Sequence, residues 1–285
     1  MKTLRMATVV LLFSTVCVSL VVAQAEAEPQ YEPFTFAVFG DTRPGDRDFS
    51  PVLQAMMTEI GHLDISFAIG TGDYIEGSSN QSTVRKQWDG FFTAMQPLQA
   101  DRTIPVALTT GNHDILGVRR NAEIFCEFFN KLYYSFDHRG CHFVLLDSET
   151  TGSEGRISGT QLKWLKQDLE AAKDAKFTFV ALHRPLFPVD GHIGSSMDAY
   201  PEERDALHAL FVQSGVDAVF LGHEHLYNHQ ERDGIHYFIT GGGGAPLYAK
   251  PENGGFHHYL LVSVGDDEFT VDVKRVTPSA EEHSR

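Results

Sequence analysis

Phe34-Thr35-Phe36-Ala37-Val38-Phe39-Gly40-Asp41 is the stretch on which the fold turns. Six residues, apolar at every position but one and rich in aromatics, read as a strand. The Gly-Asp that follows is turn chemistry that leaves a carboxylate at the strand's carboxyl end. In an open α/β sheet that end lines the binding crevice. Working outward, the same arrangement recurs. Ser50-Pro51 opens a helix, with Ser as N-cap and Pro in the first turn, and Gly61 closes it. A second strand, Ile65 to Ile69, leads into Gly72-Asp73. A helical pattern carries Val84, Trp88, Phe91, Phe92, Met95 and Leu98. A third strand, Pro105 to Leu108, leads into Gly111-Asn112-His113-Asp114.

The pattern continues with a helix over 118–130. A hairpin follows, Tyr133 to Phe136 and Cys141 to Leu146, turning around Asp137-His138-Arg139-Gly140. Gln161 to Ala171 is helical, and the strand Phe177 to Leu182 ends in His183. Pro201 opens a helix with Glu202 and Glu203 in its first turn, where they suit the helix dipole. Gly215 closes it before the strand Val216 to Leu221, which runs into Gly222-His223-Glu224-His225. Four further strands are expected at 226–231, 235–240, 257–264 and 268–274. Alternating strands and helices followed by hairpins predict an α/β fold of two packed mixed β-sheets flanked by helices.

Five strand ends thus carry carboxylates, an amide and imidazoles, the donors that hard and borderline metal ions take. Each short motif alone is ordinary turn chemistry; the ordered set is what carries information. It resembles the calcineurin-like metallophosphoesterase superfamily, over about residues 34–275. The hairpin Tyr134-Ser135-Phe136 to Leu146-Asp147-Ser148 and the run Gly241-Gly242-Gly243-Gly244-Ala245-Pro246 make it look most similar to the exported, purple-acid-phosphatase-like branch. The resemblance implies two divalent or trivalent metal ions, drawn from Mn, Fe, Zn and Co. Asp73 would bridge them, Asp41 and His225 would complete the first position, and Asn112, His183 and His223 the second. It implies hydrolysis of a phosphomonoester or phosphodiester by a water that the cations acidify. His113 would contact phosphate or protonate the leaving alkoxide, with Asp114 orienting it.

The chain departs from the family pattern at one point. The first block is Asp41-Thr42-Arg43, where the family has a His two residues after the Asp, and a guanidinium cannot ligate a cation. The purple acid phosphatases use instead a Tyr three residues after the bridging Asp; here that position is Glu76, with Tyr74 one residue after Asp73. Three readings stand. The first ion is held by Asp41, Asp73 and His225 with waters, leaving Arg43 to the substrate phosphate as a catalytic residue; or Glu76 or Tyr74 fills the gap; or the first position is weak. Against all three, Arg43 pairs with Asp46 or Asp48 and has no catalytic part. His192, in the Pro- and Gly-rich loop 184–200, is a weaker candidate for substrate contact. The Gly241–Gly244 run is read as a tight turn before a phosphate cradle.

Residues 1–25 read as a secretory signal peptide: Lys2 and Arg5, an apolar run from Met6 to Ala23, then Ala23-Gln24-Ala25 before Glu26. Cleavage there leaves a linker at 26–33, the domain at 34–275 and a polar tail at 276–285, and implies a secreted or periplasmic protein without stable membrane insertion. Losing Lys2 and Arg5 takes the formal charge from −15 to −17, which disfavours nucleic acid and fits a small phosphorylated substrate met by bound cations. Export makes a Cys126–Cys141 disulfide chemically possible, and two free thiols fit the sequence equally. The alternative function is a catalytically weak or inactive binding protein on the same fold, for which Arg43 is the one supporting feature.

Overall fold

The computed structural model describes residues 32–100 and 102–277; the leader and most of the linker and tail lie outside the described residues. In chain order the elements are β1 (Phe34–Phe39), α1 (Pro51–Gly61), β2 (Phe67–Gly70), α2 (Gln81–Met95), β3 (Val106–Leu108), α3 (Asn112–Ile115), α4 (Arg119–Phe129), β4 (Tyr134–His138), β5 (Cys141–Leu145), α5 (Gly159–Ala171), β6 (Thr178–Leu182), α6 (Pro201–Gln213), β7 (Ala218–Leu221), β8 (Tyr227–Arg232), β9 (Ile235–Thr240), β10 (His258–Val264) and β11 (Phe269–Arg275). They build two mixed sheets, ordered β11-β10-β1-β2-β3 and β4-β5-β6-β7-β9-β8. The C-terminal hairpin therefore returns to the first sheet, where β10 pairs antiparallel with β1.

The period-two alternation of β1 explains how the layers assemble. Phe36 and Val38 point into an aromatic interior between the sheets, shared with Phe143, Phe179 and Phe220 of the second sheet. Phe36 stacks on Phe67 at 5.3 Å and meets Phe143 and Phe179 edge-on at 5.3 and 5.4 Å. Ala37 and Phe39 face the other way, into a core formed with α1, α2 and α4. On the second sheet, Val144, Val180 and Val219 meet α5 and α6. A fully buried ring such as Phe36 is worth about 3–5 kcal/mol against alanine.

Local chemistry sets the boundaries. Ser50 accepts the Leu53 N–H at 3.2 Å and caps α1. The β4–β5 connection is tighter than the sequence suggests: Asp137 and His138 belong to the strand, and only Arg139-Gly140 turn, both at positive φ, as a two-residue hairpin of right-handed strands requires. The motif after β3 forms the single helical turn α3, with Gly111 at its N-cap. Cys126 and Cys141 are free thiols.

Candidate metal centre

The first sheet delivers Asp41, Asp73 and Asn112 from the carboxyl ends of β1, β2 and β3. The second delivers His183 from β6 and His223 and His225 from β7. All except Asn112 are buried. Asp41, Asp73 and His223 sit at φ 57°, 58° and 72°, a region that costs a residue with a side chain about 1–3 kcal/mol. Neighbouring backbone holds them there. Asp41 N–H donates to the Gly72 carbonyl and Thr42 N–H to the Asp73 carbonyl, both at 2.9 Å. The His223 N–H donates to the Asp41 carboxylate, 3.1 and 2.9 Å from its two oxygens. Two glycines make this closeness feasible. Gly72 has φ 99°, and a Cβ there would stand 2.7 Å from His183 Nδ1; a Cβ on Gly111 would stand 2.1 Å from Asp73 N.

Four donors meet at His183. Its Nδ1 lies 2.9 Å from the Thr71 carbonyl, a contact that requires the proton on Nδ1 and leaves a lone pair on Nε2. Around that Nε2 stand Asn112 Oδ1 at 3.0 Å, His223 Nδ1 at 3.2 Å and Asp73 Oδ1 at 3.4 Å. Burial pushes the His183 imidazolium down to about 3 and moves His223 strongly in the same direction. Both rings are therefore neutral, and three ligand-type atoms crowd the lone pair on His183 Nε2. Burial likewise raises Asp73, against the opposing charges of His113 and Arg43. Such a cluster of carboxylate, amide and imidazole atoms fits a cation, which would also offset the burial of the Asp73 carboxylate.

A second group forms at Asp41. His225 Nδ1 donates to the Pro246 carbonyl at 2.7 Å, and its Nε2 stands 3.5 Å from Asp41 Oδ1. Burial lowers the His225 pKa, but the Asp41 carboxylate outweighs it and the net shift is upward. Ligand-capable atoms of Asp41, Asp73 and His183 all lie within 4.8 Å of one another. The other candidate fillers are spent. Glu76 Oε2 accepts from Arg43 Nη1 at 2.8 Å and its Oε1 from Gly45 N–H at 2.8 Å. The Tyr74 hydroxyl accepts from Gly72 N–H at 2.9 Å; burial raises its pKa well above 10, so it remains a phenol. Arg43 pairs with neither Asp46 nor Asp48. Its Nη1 bonds Glu76 and its Nε stands 3.5 Å from Asp73 Oδ2.

His113 and Asp114 part company. His113 N–H donates to Asp73 Oδ1 at 2.8 Å, and its Nδ1 lies 3.1 Å from the Glu76 carbonyl. The group that orients His113 is therefore a backbone carbonyl, not Asp114 as its sequence position suggests. Asp114 is buried and accepts four backbone N–H groups. Gly111 at 2.8 Å and Asp73 at 2.9 Å bond Oδ2; Tyr74 at 2.9 Å and Ile75 at 3.3 Å bond Oδ1. It shapes the loop that presents Asp73.

Three residues given little or no role from sequence lie at the site. The His192 ring lies 4.0 Å from that of His223, tilted by 31°, and lines a cleft of about 410 Å³ with Arg43, Asp73, Asn112, His113 and Tyr248. Glu224, between the two histidines of β7's loop, points away from the donors. It accepts Val189 N–H at 2.8 Å and Asp190 N–H at 2.7 Å, and so ties loop 184–200 over the cleft. A carboxylate between two ligand-type histidines was the available signal. Tyr248 O–H donates to the His223 carbonyl at 3.1 Å and accepts His225 N–H at 2.9 Å. The glycine run spends its N–H groups internally: Gly241 on Leu226, Gly243 on Gly40, with Ala245 on Asp41. It is a packing turn.

A calcineurin-like phosphoesterase family model matches residues 34–227. Purple acid phosphatase 21 of Arabidopsis thaliana is 29% identical over 216 residues, covering 70% of this chain and 45% of that protein; the chain spans about half the length of the curated relatives it matches. Among solved structures, a purple acid phosphatase from yellow lupin (Lupinus luteus) seeds superposes with a TM-score of 0.70 at 18% identity, over 87% of this chain and 52% of the other. A dimetal phosphatase from Danio rerio does so with a TM-score of 0.63 at 15% identity, over 87% and 100%. These structural likenesses speak to the two-sheet fold.

Proposed function

Because the chain belongs to the calcineurin-like phosphoesterase family, we propose that it hydrolyses a phosphate ester with metal ions held at the convergence of its two sheets. The observation that carries this reading is the convergence of Asn112 Oδ1, His223 Nδ1 and Asp73 Oδ1 within 3.4 Å of His183 Nε2. Asp73, Asn112, His183 and His223 would hold one ion, and Asp41, Asp73 and His225 a second. Bound metal ions would supply positive charge to the phosphoryl group and acidify an attacking water.

The chain's own residues do the rest. The His113 Nδ1 is engaged by the Glu76 carbonyl at 3.1 Å and by Arg43 Nη1 at 3.4 Å, so its Nε2 is free to bond a phosphoryl oxygen or, when protonated, to give its proton to the leaving alkoxide. Arg43 has one amino group, Nη2, without a protein hydrogen bond among the described residues; it lines the cleft and can donate to a phosphate oxygen. His192 and Tyr248 wall the opening on the second-sheet side and exclude water from the reacting centre. Neither monoester nor diester is favoured by the ligand set, and the substrate class is a small phosphorylated molecule.

Metal removal by chelator, metal analysis, then assay of aryl phosphate mono- and diesters with each of Mn, Fe, Zn and Co tests the proposal. Metal-dependent turnover is expected. Full metal loading without turnover on any ester would instead identify a binding protein on this fold. Export by cleavage after Ala25 is supported by the residue order of 1–25, and N-terminal sequencing of the exported chain should start at Glu26. Among the described residues no helix is long and apolar enough to cross a membrane.

A further inference from the structure

The two cation positions are built unequally, and the difference lies in Arg43. Around His183 the donors are neutral or singly negative. Asp73 Oδ1, His223 Nδ1 and Asn112 Oδ1 are all within 3.4 Å of His183 Nε2. The other position has Asp41, His225 and the second oxygen of Asp73. That second oxygen already faces a positive charge, Arg43 Nε at 3.5 Å. Arg43 is held there. Its Nη1 is bonded to Glu76 Oε2, and Glu76 is held in turn by Gly45 N–H. The side chain is 13% exposed, and the guanidinium is fixed by packing, by ion pairs with Glu76 and Asp73, and by an Nη1 contact with His113 Nδ1 at 3.4 Å. The two neighbouring groups with a further ligand-type oxygen, Glu76 and the Tyr74 phenol, are spent on Arg43, Gly45 and Gly72.

We propose that the Arg43 guanidinium is a chain-borne cation at the first position, so that the protein holds one metal ion tightly, at Asp73, Asn112, His183 and His223, and a second only weakly. This rests on the metallophosphoesterase reading above. The guanidinium is always protonated. At a few ångströms it repels a divalent ion and competes for the same Asp73 oxygen, and the Arg43–Glu76 pair offsets only part of that charge. A difference of about a hundredfold between the two affinities is the scale such a charge produces at a partly screened site. The same guanidinium supplies a fixed positive charge beside the substrate phosphate, a part that an ion would otherwise play.

The experiment reads metal, not turnover. Metal-free protein is titrated with Mn(II) by calorimetry, and manganese is counted after desalting. Wild type should keep one ion per chain through desalting and bind a second about a hundredfold more weakly. Arg43→His, which removes the charge and adds an imidazole, should keep two. Arg43→Gln removes the charge alone and should strengthen the second ion by at least about tenfold, which carries the test if the histidine variant does not fold. Two ions retained by wild type with similar affinity would overturn the proposal, whatever the variants do; so would a second-ion affinity unchanged in Arg43→Gln. Ester hydrolysis is measured in parallel at saturating manganese. Absence of turnover there would sink the hydrolytic reading while leaving the affinity ratio as measured, and turnover with two equal tight ions would sink only the inference about Arg43.

Discussion

Asp114 holds Asp73 by its backbone: the Asp114 Oδ2 accepts the Asp73 N–H at 2.9 Å, while its other contacts bind the next two residues and Gly111. Replacing it by alanine strands four buried N–H groups. We expect Asp114→Ala to lose about 3 kcal/mol or more of stability, and to release metal more readily because Asp73 is no longer presented. Thermal unfolding and metal retention measure both. A variant with unchanged melting and metal content but a selective loss on esters with poor leaving groups would return Asp114 to a role on His113.

His113 is the opposite case. It touches the cleft and is held by the Glu76 carbonyl, and no metal position depends on its ring. His113→Ala should lower turnover by about two to four orders of magnitude and keep its metal, whereas His223→Ala should lose metal. Normal turnover in His113→Ala would remove it from the reaction.

Glu224 and His192 should behave as one unit. If the Glu224 carboxylate works by fixing loop 184–200, Glu224→Gln and His192→Ala should each lower kcat/KM, by about tenfold or more, and the double variant should fall little further than the worse single one. Metal content should not change in Glu224→Gln. Additive losses, or loss of metal, would mean that Glu224 acts elsewhere.

His258 sets a pH dependence that has nothing to do with turnover. It is fully buried, with Nδ1 2.9 Å from the Phe256 carbonyl and Nε2 3.2 Å from Thr240 Oγ1. Burial holds its pKa at about 4, against an ordinary 6.5. Above pH 6.5 neither the folded nor the unfolded state binds the proton; below it the unfolded state does and the folded state does not. Stability of the metal-free protein should therefore fall as pH drops from 6.5 to 4, by up to about 3 kcal/mol from this residue. Glu149 acts with opposite sign between its ordinary 4.5 and about 7, because burial raises its pKa. The check is thus the difference between wild type and His258→Gln in denaturant unfolding across that range. Parallel curves would contradict it.

The strands and their terminal motifs were legible because apolar runs and the glycines that follow them act locally: β1 and α1 fall where Phe34–Phe39 and Ser50-Pro51 predict. The three-dimensional assignments were not. Adjacency in sequence suggested that Asp114 serves His113, but one helical turn, α3, points the two side chains in different directions. His192 looked like a loop histidine because nothing near it in sequence reveals that Glu224, thirty-two positions on, fastens its loop. The fate of Arg43 depended on whether Asp46, Asp48, Glu76 or Asp73 lay nearest, a question of side-chain reach that spacing does not answer.

The division of the donors between layers has a mechanical consequence. Asp41, Asp73 and Asn112 hang from one sheet, and His183, His223 and His225 from the other; elsewhere the sheets meet through an interior of interlocked rings. Any ion that draws on both groups is a rivet through the seam. Stripping it should loosen the rim of the sandwich before its middle, so that amide exchange and protease nicking begin at the strand termini and in loop 184–200 while the Phe36 region stays protected.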